Sequence, residues 1–176
     1  MRPLTIMLAI FALAINAFAI EDTLSLDRCQ IINHETDRSM PSKLLIHFML
    51  PERMSGREII LAEITSRATL RNIQRDSLLE LYFHPFLAQP PENNADYDAL
   101  EEITDSLGAG AWTCRFDSAL SFRVDITGYM REVAGGDRIN YGLIGALDLL
   151  GENNIVVPEK LAEAIRDHAR VRILYK

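Results

Sequence analysis

Five short stretches of the chain alternate apolar and polar residues with a period of two. In Lys43–Leu50, the residues Leu44, Ile46, Phe48 and Leu50 share one face. Ile60, Ala62 and Ile64 alternate next, followed by Leu79, Leu81 and Phe83, then Phe122, Val124 and Ile126, and finally Val171, Ile173 and Tyr175. A period of two places every second side chain on the same side of an extended backbone, so each run predicts a half-buried strand. Pro, Gly, Asn or Asp bounds each run, as expected where strands turn. Thr23–Ile32, Trp112–Phe116 and Gly142–Asp148 are less regular strand candidates. About eight short strands with few helices between them predict an all-β fold, an antiparallel β-sandwich of the jelly-roll kind.

Two or three short helices are expected in the connections. Asp98–Leu107 sets Leu100, Ile103 and Leu107 on one face; Asp98 and Glu101 suit a capping box, and Gly108 is a natural stop. Ile126–Ala134 spaces Ile126, Tyr129, Met130 and Val133 at i, i+3, i+4 and i+7, with Asp125 or Thr127 as cap and Gly135-Gly136 at the end. Pro158–His168 begins with Pro at the first helical position. Its acidic start and basic end complement the helix dipole. Gln89–Asp96, polar and rich in Pro and Asn, reads as a loop within one domain.

Composition changes this picture at the N-terminus. Met1–Ala19 holds 15 apolar residues and one charge, Arg2. Leu4–Ile15, apolar save for Thr5, has signal-peptide length and falls short of the ~20 residues that span a bilayer. Ala17-Phe18-Ala19 offers small residues where a signal peptidase reads them, so residues 1–19 are expected to be a signal peptide and residues 20–176 one domain. The alternative is an uncleaved anchor. No other segment approaches membrane-spanning length, so no span is expected after cleavage. Without the leader, 157 residues remain with 17 basic and 25 acidic side chains, a net charge of −8. An acidic chain with no basic cluster argues against nucleic acid, because phosphate contacts need Lys and Arg.

Export bears on the two cysteines. Cys29 and Cys114 both follow the leader, and in an oxidising compartment such a pair is expected to form a disulfide. The alternative is two buried thiols far apart in the fold.

Several pieces of the chain, taken in order, carry a family resemblance. Leu44-Leu45-Ile46-His47-Phe48-Met49-Leu50-Pro51 is followed by Ser55-Gly56-Arg57-Glu58-Ile59-Ile60-Leu61-Ala62-Glu63-Ile64. Phe122-Arg123-Val124-Asp125-Ile126-Thr127-Gly128-Tyr129-Met130-Arg131-Glu132 leads to Gly135-Gly136-Asp137 and then Asn140-Tyr141-Gly142-Leu143-Ile144. Arg170-Val171-Arg172-Ile173-Leu174-Tyr175 closes the chain. In this order the pieces resemble the DNRLRE-type domains, β-jelly rolls similar to carbohydrate-binding modules. The resemblance spans most of Lys43–Lys176. It departs from the family in having only Trp112 for the usual tryptophan-rich middle, and in a helix-bearing stretch, Leu149–Ala169, that looks like an insertion before the last strand. The resemblance implies a secreted, periplasmic or cell-surface protein without catalytic activity that binds polysaccharide or builds a surface assembly. The alternative is a purely structural subunit held to a surface protein partner through an exposed strand edge or the insertion helix.

Sugar recognition needs an aromatic ring that stacks on the sugar face, with polar groups nearby. Tyr82 stands on the polar side of its strand with Glu80 and His84 as same-face neighbours, and Trp112 is the single tryptophan. These four are the candidate ligand-binding residues. Packing of Tyr82 on a neighbouring strand or the insertion helix, and of Trp112 in the core, are the alternatives. Tyr129 and Tyr175 lie on apolar stripes and are expected in the core. Asn94, Asp96 and Asp98 alternate as oxygen ligands that could wrap calcium, although helix capping explains the same residues and Ala99 breaks the full loop pattern. No other cofactor is expected. No G-x-S-x-G elbow, P-loop or H-E-x-x-H occurs; His34-Glu35 starts like the last, but Arg38 replaces its second His. No catalytic residues are therefore named, and a small secreted hydrolase remains the enzymatic alternative.

Overall fold

The computed structural model describes residues 19–32, 43–69, 78–91, 97–115, 119–150 and 167–176. Nine strands follow one another among them: β1 (Ile20–Ser25), β2 (Arg28–Ile32), β3 (Lys43–His47), β4 (Ile59–Thr69), β5 (Leu78–Pro85), β6 (Gly110–Arg115), β7 (Ala119–Asp125), β8 (Leu143–Leu150) and β9 (Arg170–Tyr175). Two helices, α1 (Tyr97–Glu102) and α2 (Thr127–Gly135), and a 3-10 turn at Glu52–Met54 lie in the connections.

The pairing is that of a long hairpin rolled up. β1 pairs with β9, β3 with β8, β4 with β7 and β5 with β6, all antiparallel, so early strands meet late ones in nested order. Rolling then brings β4 against β9 and β5 against β8. The outcome is two antiparallel sheets, β1-β9-β4-β7 and β2-β3-β8-β5-β6. This is the jelly-roll order, with β2 as an extra edge strand beside β3.

The alternating runs meet in the core between the sheets. Leu44, Ile46 and Phe48 pack with Ala62, Ile64, Phe83, Val124, Leu143, Val171, Ile173 and Tyr175 in one buried cluster. Met54 and the buried face of α2, Tyr129, Met130 and Ala134, close its end. The C-terminal end of α2 follows from its sequence, whereas its N-cap position is Ile126, without a side-chain cap, and not Asp125 or Thr127 as expected. Asp125 Oδ1 accepts the Thr127 N–H at 2.8 Å, and Gly136, at φ +82°, donates its N–H to the Glu132 and Val133 carbonyls. That left-handed conformation costs glycine nothing.

Four further expectations are corrected. In β4 the inward residue before Ala62 is Ile59, 1% exposed, and not Ile60, which is half-buried. A β-bulge between Ile59 and Leu61 inserts one residue and flips the alternation. Thr23–Ile32 is two strands and not one: at Leu26-Asp27 the chain leaves the four-stranded sheet for the other, and Asp27 N–H bonds the His47 carbonyl at 3.1 Å. The helix expected over Asp98–Leu107 stops at Glu102. Thr104 instead bridges to Phe86, and the Asp105 N–H bonds the Pro85 carbonyl at 2.8 Å, which draws the chain onto the sheet and leaves Leu107 exposed. Finally, β2 and β6 are opposite edges of the five-stranded sheet, so Cys29 and Cys114 are four strand steps apart. At ~4.8 Å per step that is ~19 Å, whereas a disulfide requires Cα atoms within ~7 Å. The Cys29–Cys114 bridge is not compatible with this strand order.

All but the last residue of the signal peptide expected over residues 1–19, and most of the Pro158–His168 helix, lie outside the described residues. Asp167 and His168 form the end of a helical turn just before β9.

Candidate functional site

The two sheets present very different outer faces. On the four-stranded sheet, charges alternate from strand to strand and satisfy one another. Arg172 bonds Glu21 at 2.9 Å and reaches Glu63 at 3.5 Å, and Arg123 meets the other oxygen of Glu63 at 2.7 Å. The five-stranded sheet instead carries a second apolar cluster on its outer face. Ile32, Leu45, Phe86 and Ile144 are covered there by Tyr97 and Leu100 of α1, making a partial third layer.

Beside this helical cover lies the candidate site. The strand registers define a row across the sheet: Ile32 of β2 opposite Lys43 of β3, Lys43 opposite Ala146 of β8, Ala146 opposite Tyr82 of β5, and Tyr82 opposite Ala111 of β6. Lys43 and Tyr82 thus stand two strands apart, ~10 Å, with only an alanine between them. Tyr82 is 37% exposed, and alanines on both sides place no bulky neighbour in its row. One row on, His84 faces Ile144, and its Nδ1–H donates to the Asp105 carbonyl at 3.1 Å. A carbonyl only accepts, so this bond assigns the ring proton to Nδ1 and turns Nε2 to an acceptor role in the neutral ring.

A cavity of about 360 Å³ opens here, lined by Lys43, His84, Glu101, Thr104, Asp105 and Ile144 among others. Lys43 is buried, and its ammonium is held three ways. Nζ lies 2.7 Å from Glu101 Oε1, donates to the Tyr97 carbonyl at 3.2 Å, and sits 3.6 Å from the centre of the Tyr97 ring. Burial, with the Glu101 and Asp98 carboxylates adding to it, pushes the Tyr97 hydroxyl above its ordinary pKa. Asp105 anchors the far wall. The Leu107 N–H and then the Arg138 guanidinium hold its carboxyl below the usual carboxylate range. Arg138 spans from Asp105 to Glu132 at 2.8 and 2.7 Å.

The sequence-predicted residues divide. Tyr82 and His84 come together on this face. Glu80 is in register with Thr113 and Asp148, two residues along β5 from Tyr82. Trp112 is in register with Leu81 and not with Tyr82. Asp98 is an exposed residue of α1, while Asn94 and Asp96 lie outside the described residues. Among the described residues no three His, Cys, Asp or Glu side chains gather as a metal site. Tyr129 and Tyr175 are in the core as expected, at 4% and 2% exposure.

Lys43 and Asp105 carry no role in the sequence reading, and Glu101 enters it only as a capping-box residue. Lys43 had a signal, a charge at the start of a strand whose next three residues are apolar. Nothing in the sequence placed Glu101 and Asp105 at a site, because only the early end of α1 and the Thr104–Phe86 bridge bring them to the cavity. No family model matches the chain, and no curated protein matches it significantly.

Proposed function

We propose that the chain is an exported, non-catalytic jelly-roll protein that binds polysaccharide on the outer face of its five-stranded sheet. The observation that carries this reading is Tyr82, part-exposed between Ala111 and Ala146, next to the cavity of His84, Lys43 and Glu101. A sugar ring has an apolar face of C–H groups and a rim of hydroxyls. The Tyr82 ring suits the first, and the His84 Nε2 and Glu101 carboxylate suit the second. The jelly-roll strand order is also the fold that the resemblance to DNRLRE-type domains implies. Export rests on the leader pattern of Met1–Ala19, and β1 begins at Ile20, so cleavage after Ala19 leaves every β1–β9 pair intact.

The test is affinity electrophoresis against a panel of neutral and acidic polysaccharides. The wild-type chain is expected to be retarded in at least one gel, and Tyr82→Ala to bind at least ~10-fold more weakly with an unchanged circular dichroism spectrum. Equal retardation of wild type and variant removes Tyr82 from the site. Migration unaffected by every polysaccharide leaves the assembly-subunit reading in its place. Release of reducing ends from the retarding polymer would overturn the non-catalytic part.

A further inference from the structure

The loops beside α2 form a second surface of different chemistry. Leu87, Leu107 and Ile139 are 58%, 73% and 64% exposed, half of the large exposed apolar side chains among the described residues. Leu87 and Ile139 line an open cavity of about 540 Å³ together with Phe86 and Tyr141. Leu107 adjoins it through the Asp105 carboxylate. Asp105 Oδ1 accepts the Leu107 N–H at 2.9 Å, and Oδ2 takes the guanidinium of Arg138, the residue before Ile139, at 2.8 Å. Single exposed apolar residues are ordinary on a protein surface, but two that share one groove, Leu87 and Ile139, point to an interaction site.

The rim of this groove is acidic. Glu132 and Asp137 line it, with Asp105 close by, and the one cation among its lining residues, Arg138, already spans two of these carboxylates. The groove therefore keeps a net negative charge, on a chain whose net charge is itself −7. Its walls are also held in place. The Leu87 N–H bonds the Ile103 carbonyl at 2.7 Å, and the Asp137 and Arg138 N–H groups bond the Glu132 carbonyl at 2.9 and 3.2 Å. Fixed walls reduce the ordering cost of binding.

We infer that this groove docks a peptide segment of a partner protein in which a bulky aliphatic side chain stands next to Lys or Arg. The aliphatic group fills the floor between Leu87 and Ile139, and the cation meets Glu132 and Asp137. The groove shares no lining residue with the cavity beside Tyr82, so this surface is separate from the Tyr82 site.

The test uses the full chain and three fluorescent twelve-residue peptides read by anisotropy. The first alternates Leu with Lys and Arg, the second replaces each cation with Glu, and the third replaces each Leu with Ser. The first peptide is expected to bind, more weakly as salt rises, and the other two at least ~10-fold less well. Ile139→Asp and, separately, Leu87→Ser are expected to lower affinity for the first peptide by at least ~10-fold. Ile20→Ser, which removes an exposed apolar residue elsewhere, is expected to leave it unchanged. Both groove residues are largely exposed, so the variants keep the fold, and Ile139→Asp should keep any polysaccharide retardation. The inference is overturned if no peptide binds, if all three bind alike, or if Ile139→Asp binds as wild type. It is equally overturned if light scattering shows a dimer that Ile139→Asp dissociates, since the occupant is then a second copy.

Discussion

Lys43 shows how a single side chain can be costly and still hold its place. An ammonium group loses much of its hydration when buried, and it remains charged only where partners replace that water. Here the replacements are the Glu101 carboxylate, the Tyr97 carbonyl and the Tyr97 ring. The partners are unequal in exposure, because the Glu101 side chain is 65% exposed and that of Lys43 only 8%. Removing the cation returns Glu101 to water, whereas removing the carboxylate strands a buried charge. Lys43→Met is therefore expected to change stability by less than ~1 kcal/mol, and Glu101→Gln to cost ~1–2 kcal/mol. Urea denaturation midpoints of the two variants check this order, and a larger loss for Lys43→Met would contradict it. Asn140 is a second such residue. It accepts from the Tyr129 hydroxyl at 2.6 Å and the Gly142 N–H at 3.1 Å, and donates to the Phe48 carbonyl at 2.7 Å, which ties α2, β3 and β8 together.

Among the elements, α2 was read closely from the sequence and α1 was not. The apolar spacing of α2 coincides with its packing on the core, and its glycine stop needs no tertiary contact. Its N-terminus gives a pH dependence. Bonds from the Thr127 hydroxyl and backbone N–H hold the Asp125 carboxyl below its ordinary value of 3.8. A carboxyl whose folded pKa lies below its unfolded value stabilises the fold above the unfolded pKa, and that stabilisation is lost as pH falls through the folded one. Wild type is thus expected to lose stability below about pH 4, and Asp125→Asn to lose less over the same interval. At neutral pH, Asp125→Ala should cost ~1 kcal/mol, the net worth of the lost bond from the Thr127 N–H. Thermal melts between pH 7 and pH 2.5 decide it; parallel curves for wild type and Asp125→Asn would refute the role. The end of α1 is another matter. Helical spacing continues to Leu107, but the bond from Asp105 N–H to Pro85 and the Thr104–Phe86 bridge outcompete it. Similarly, the bulge in β4 cannot be read from Ile59-Ile60-Leu61, three apolar residues in a row that suit either phase.

At the scale of the whole molecule, the strand order decides what the cysteines can do. Spacing along the chain says nothing about separation across a sheet, and the rolled hairpin carries β2 and β6 to opposite edges. Protein purified and denatured without reductant is expected to take up two alkyl groups per chain with iodoacetamide. Intact mass spectrometry reads this directly, and uptake of none would mean that the two sulfurs are joined. The same strand order gathers the candidate site. Lys43, Tyr82, Glu101 and Asp105 span more than sixty residues of sequence, and the registers of β3, β8 and β5 place the first two in one row.

Local chemistry was enough to mark out what repeats along the chain. Period-two alternation located the strands, the glycines marked the end of α2, and Tyr82 with His84 fell on one face because residues two apart in a strand always do. From these alone a β-sandwich followed. Tertiary structure decided everything that depends on which strands become neighbours: the crossing between β1 and β2, the phase of β4, the distance between Cys29 and Cys114, and the arrival of Lys43, Glu101 and Asp105 beside Tyr82. The physical reason is that a side chain's face is set by its own backbone, whereas its neighbours are set by hydrogen-bond ladders between segments far apart in sequence.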